Sequence, residues 1–156
     1  MSKLFRITLW ILSGIGFLAF FFQTLSTFLI SPLMGLLSLL IAAVLVTLVI
    51  YLLQRSPMWA RPARLWATLA FLWGGGVAVA LALISAGPVM QLAIGSGWVD
   101  AMMSWSGAYP EEISKATGVI FVLMSFRQLN RPWQGWMVGA VVGLGFEGCD
   151  SSGYGA

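Results

Sequence analysis

The sequence predicts an all-α polytopic membrane protein, a bundle of about five transmembrane helices with its N-terminus on the cytoplasmic side. Three observations carry this. Hydrophobic residues make up 60% of the 156 and charged ones only 8%, where soluble domains carry about a quarter charged. The apolar residues come in runs close to the ~20 needed to span a bilayer. All but one of the basic residues sit in short flanks between those runs, where orientation in a membrane puts them. The net charge of +3 would also suit nucleic acid, but no basic patch with interleaved aromatics is left over, so nucleic acid is not an expected partner. The lipid bilayer is. The single cysteine, Cys149, excludes an internal disulfide, and the absence of histidine removes the commonest metal ligand. No nucleotide or cofactor motif is evident, since Gly74-Gly75-Gly76 lacks the Lys and Ser/Thr of a phosphate loop.

The first run, 7–30, follows Lys3 and Arg6 as a signal peptide would, but its length exceeds an h-region of roughly 7–15 residues and no small-x-small cleavage site closes it. It reads as an uncleaved first span. Ser31-Pro32 breaks it, because proline disfavours helix in the residue before it, and 33–53 supplies the second arm of a hairpin. A connector with Arg55, Arg61 and Arg64 leads to a third span at 65–86. Its three consecutive glycines suit close backbone packing between membrane helices, with a local kink beside a substrate path as the alternative. The stretch 88–110 is less apolar. Trp98, Val99, Met102, Met103 and Trp105 around Asp100 suit a short interfacial helix with tryptophan at headgroup level, or a re-entrant segment. A fourth span follows at 111–129, then a tight basic turn with Arg127 and Arg131, then a fifth segment at 133–156 whose second half is polar. The flanking basic residues all fall on one side of this arrangement, which makes that side cytoplasmic.

Glu111, Glu112 and Lys115 are then expected near the outer end of the fourth helix, and they need a reason. An ionisable side chain within a bilayer costs on the order of 2.5–3.5 kcal/mol and marks a functional site by default. Counting from the turn at about 1.5 Å per residue, Glu112 lies ~27 Å up its helix and Glu147 ~26 Å up the next, with Asp150 on the same face as Glu147. Up to four carboxyl groups and one ammonium would meet in a low-dielectric site. Crowded like charges separate in their protonation, which sets a proton donor beside an acceptor and suits acid–base hydrolysis. The bland alternative is that Glu111 and Glu112 cap the helix and Lys115 is their ion-pair partner. A thiol beside two acids is disfavoured as a thiolate, so Cys149 is not the nucleophile.

Glu111-Glu112-Ile113-Ser114-Lys115 resembles the E-E-x-x-K motif of the PrsW family of bacterial intramembrane proteases. Gly143-Leu144-Gly145-Phe146, with Asp150-Ser151 and Tyr154-Gly155, resembles that family's second motif, G-x-G-F-x-x-x-E-N followed by Y-G. Together they cover 111–156. The resemblance implies a multi-pass peptidase of the bacterial inner membrane that cleaves single-span, membrane-anchored substrates such as anti-sigma factors. It makes Glu111 and Glu112 the catalytic or metal-assisting acids and Lys115 their partner, with Asp150 and Ser151 where the family has Glu and Asn. Family members continue into helices that supply histidine, so the resemblance implies that this chain is the front part of a longer protease, and a metal ion is expected only if such histidines follow Ala156. Two readings of another class stay open beside it: a proton-relay or transport subunit using the same acids, and a non-catalytic membrane interaction protein.

Overall fold

The computed structural model describes residues 3–153, and the side chains of Lys3, Arg6, Gln23, Ser26, Thr27 and 150–153 lie outside the described residues. Five long helices follow one another: α1 (Lys3–Ile30), α2 (Pro32–Arg55), α3 (Arg64–Gly95), α4 (Met102–Ser125) and α5 (Pro132–Gly153). No strand occurs among the described residues. Two of the helices, α2 and α3, are long and apolar enough by themselves to cross a bilayer. In α2 only 6% of the most apolar stretch is buried, and Leu33, Leu37, Leu40, Ile41, Val44 and Leu48 all face outward. A helix apolar on every side and hardly packed cannot be the core of a soluble domain; it needs an apolar medium. The all-α membrane bundle expected from composition is the observed architecture.

Ser31 alone joins α1 to α2, with proline at the first position of α2, where its missing N–H costs nothing. The other end of the molecule is tied by side chains. Trp66 Nε1 donates to the Ala60 carbonyl at 3.0 Å, and its ring lies 4.7 Å from that of Trp59. Gln128 Nε2 donates to the Pro62 carbonyl at 2.8 Å. That bond brings the connector carrying Arg61 and Arg64 beside the turn carrying Arg127 and Arg131.

The centre is α3. At Trp73–Ala78 its hydrogen bonding widens to a π-helix, and every residue from Trp73 to Val79 is buried. A helix segment buried all round must have neighbours on every side, and the glycines admit them. A methyl on Gly16 of α1 would lie 2.7 Å from the Val77 nitrogen, one on Gly75 2.9 Å from the Gly145 oxygen, and one on Gly74 3.0 Å from the Phe146 nitrogen. Backbones of α1, α3 and α5 therefore touch where no Cβ fits, the mode of close approach that small residues give membrane helices. The same glycines fall within the π-helical stretch. Around this crossing Leu9, Trp66, Leu69, Val138, Val141 and Val142 form the dry core.

Two helix boundaries differ from the sequence reading, for one reason. The third helix runs on to Gly95 rather than ending near 86, and the fourth begins at Met102 rather than 111, so 88–110 is no separate interfacial helix. Pro88 and Pro110 lie inside helices. Proline removes a single backbone bond, which a helix held by neighbours tolerates within a membrane. The real break is at Gly97, whose φ of +80 suits only glycine cheaply. There Trp98 N–H bonds the Ala93 carbonyl at 2.9 Å and Gly97 N–H that of Ile94 at 3.0 Å, a Schellman ending. Trp98, Trp105 and Tyr109 then meet edge to face in sequence, with ring centroids 5.0 and 5.5 Å apart, along the start of α4.

Candidate active site

The longer α4 changes the standing of its acids. Glu111 is nine residues past Met102, about 13 Å along the helix. The helix dipole acts only within the first turn. The capping alternative for Glu111 and Glu112 therefore fails, as does the expectation that they sit at the end of their helix. They occupy its interior, just after a buried Pro110.

Lys115 gathers the group. Its Nζ is 3.0 Å from Glu112 Oε1 and 3.9 Å from Glu111 Oε2, at the i+3 and i+4 spacings that put helical residues on one face. The lysine side chain is 17% exposed, Glu111 38% and Glu112 72%. So the turn grades from a covered cation to an open carboxylate, and a pair that open contributes no more than about 0.5–1 kcal/mol to stability. Lys115 also reaches across to α5, where its Nζ stands 4.1 Å from the centre of the Phe146 ring. An ammonium over an aromatic face is attracted by the ring quadrupole, more strongly where water is excluded. The lysine of E-E-x-x-K thus meets the phenylalanine of G-x-G-F. The two motifs, thirty-one residues apart, form one contact.

The remaining acids are distributed differently. Glu147 follows Phe146, the residue that meets Lys115, but is exposed and makes no ion pair among the described residues. The Asp150 side chain, like Ser151 and Tyr154, lies outside the described residues. Cys149 is buried and lines an apolar cavity of about 390 Å³ between α2 and the glycine crossing.

Two residues that sequence reasoning passed over hold the site from behind. Trp73, 1% exposed, donates its indole N–H to the Ser114 carbonyl at 3.1 Å and stacks on Phe121 at 5.3 Å. Gly118 provides the notch its ring fills, since a methyl there would overlap Trp73 Cδ1. The one available signal was a glycine one turn past Ser114, where the helix turns from polar to apolar residues.

The model of the PrsW family, described as an intramembrane metalloprotease family, matches residues 61–156. The chain belongs to the PrsW family. That stretch contains α3, α4 and α5 with both motifs, and it makes the chain a member of a family of intramembrane proteases and hence a membrane protein. No curated protein and no solved structure matches the chain.

A metalloprotease needs a metal ion held by protein side chains. A catalytic zinc takes three protein ligands and leaves a position open. Among the described residues no three of His, Cys, Asp and Glu converge on a point. The two adjacent carboxylates both face Lys115, whose positive charge opposes a cation there. The described part of this PrsW chain does not form a metal site on its own.

Proposed function

We propose that this PrsW protein is a multi-pass peptidase of the bacterial inner membrane that cleaves single-span, membrane-anchored proteins such as anti-sigma factors, with Glu111 and Glu112 as its working acids. The observation that carries the reading is the Glu111–Glu112–Lys115 turn, seated in the interior of a helix and joined through Lys115 to the second motif on α5. Peptide hydrolysis requires a group that takes a proton from water as its oxygen adds to the carbonyl carbon, and a group that delivers a proton to the departing amine. The open carboxylate of Glu112 and the half-covered one of Glu111 stand in different surroundings, which is how two acids of one type acquire different roles. Lys115, held by both and by Phe146, keeps the pair oriented. Glu147, and Asp150 beyond it, supply acids from the neighbouring helix. The charge distribution supports five crossings with the N-terminus cytoplasmic, because the connector arginines and the turn arginines share one end of the bundle while Glu111 and Glu112 lie toward the other.

The test is release of a soluble tag from a single-span reporter reconstituted with the protein in liposomes. The wild-type chain is expected to release it, and Glu111→Gln and Glu112→Gln to lower release by at least about a hundredfold, the range in which a positioned acid or base contributes. Undiminished release from the double variant, or no release from the wild type, overturns the reading.

A further inference from the structure

We propose that Trp73 is a positioning residue: it sets the rotation of α4 about its axis and thereby holds Lys115 on Phe146. The significance of this rests on the peptidase reading, but the geometry does not. Three contacts of one indole define a single face of α4. Gly118 is the notch, the Ser114 carbonyl takes the N–H at 3.1 Å, and Phe121 carries the stacked ring at 5.3 Å and 23°. These residues are spaced i, i+4 and i+7, one stripe of a helix.

Lys115 is the residue after Ser114, about 100° further round. Once the stripe is fixed against α3, the direction of Lys115 is fixed toward α5. A helix lacking such a key is free to turn, because apolar side chains in a bilayer gain little from one facing over another. The indole hydrogen bond supplies the directionality. A buried N–H of tryptophan must find an acceptor, and a helical carbonyl already bonded within its helix still has a second lone pair. The ring cannot withdraw either. Trp73 opens the π-helical stretch, whose following glycines pack so closely on α1 and α5 that a methyl on Gly74, Gly75 or Gly76 would overlap the neighbouring backbone. The path from glycine crossing to charged turn is therefore two contacts long: α3 backbone to Trp73 ring, and Trp73 ring to Ser114–Gly118.

The experiment uses the fact that Lys3 and Lys115 are the only lysines in the chain. The protein labelled with carbon-13 and nitrogen-15 lysine, in lipid nanodiscs, gives two sets of side-chain signals, and Lys115→Arg identifies which is which. Over an aromatic face the Lys115 ε-methylene protons are expected upfield of those of Lys3, and Phe146→Leu is expected to abolish the difference. Trp73→Phe keeps an aromatic ring at the position but removes the N–H donor together with the five-membered-ring atoms next to Gly118, while Gly118→Ala pushes the indole out. Both are expected to move the Lys115 signals at least halfway to their Phe146→Leu position with the Lys3 signals unmoved. The proposal is overturned if Trp73→Phe leaves the Lys115 signals at the wild-type position, or if Phe146→Leu does not shift them. Because the readout needs no cleavage, a chain that fails as a peptidase still decides it.

Discussion

The glycine crossing of α1, α3 and α5 and the charged turn of α4 are about one helix apart and are held by opposite means. At the crossing the backbones meet, and positions 16, 74, 75, 76 and 145 lack room for a single methyl. At the charged turn the groups are joined by an ammonium to two carboxylates and a ring, with 72% of the Glu112 side chain open. One region is defined by what is absent from its side chains and the other by what its side chains carry. The crossing should therefore tolerate no added atom while the turn tolerates isosteric change, so substitutions in the first are read as loss of fold and in the second as loss of chemistry.

The largest effect expected is at the crossing. Gly76→Val or Gly145→Val should prevent accumulation of folded protein. The milder Gly75→Ala should destabilise by about 1–3 kcal/mol or more, as overpacking does, measured as a lowered unfolding midpoint in detergent or nanodiscs. A normal midpoint for these variants breaks the comparison. Glu112→Gln comes next, with an unfolding midpoint close to wild type, because so exposed a pair contributes little, together with the loss of reporter cleavage described above. A large fall in midpoint would mean that the turn is structural. Lys115→Met should lie between the two, losing an ion pair and a cation–π contact worth together about 1–2 kcal/mol, and Lys115→Arg should recover part of it. The smallest effect is at Gly143, which shares the G-x-G-F motif with Gly145 but has open space where a methyl would go. Gly143→Ala should change stability by under about 1 kcal/mol, with helix propensity favouring the alanine. The contrast between Gly143 and Gly145 within one motif is the sharpest form of the comparison.

The sequence made the fold class legible because composition and run length answer to the medium alone, and hydrocarbon admits few folds. The hairpin of α1 and α2 was legible to within a few residues, since Ser31-Pro32 is a break that both the chain and its neighbours obey. Pro88 and Pro110 were misleading for the converse reason: their effect depends on what surrounds the helix, and α3 and α4 pack along each other, with Pro110 buried. Of the site, Glu111, Glu112 and Lys115 were found by charge in an apolar setting. The Trp73 bond to Ser114 joins residues forty-one apart, and nothing local in either residue announces it. Of the acids expected from α5, Glu147 is exposed beside Phe146 and the side chain of Asp150 lies outside the described residues.

The two prolines have a mechanical consequence. Pro88 stands seven residues before the end of α3 and Pro110 eight after the start of α4, so in this antiparallel pair they come at nearly the same height. Each leaves the carbonyl four residues earlier without its helical donor. The hairpin thus has one rung missing from each rail of its ladder, on α4 between the tryptophan-rich tip and the carboxylates. Bending is cheapest there, and a tilt at that level swings Trp98 and Trp105 while leaving the turn from Glu111 to Lys115 clamped to α5.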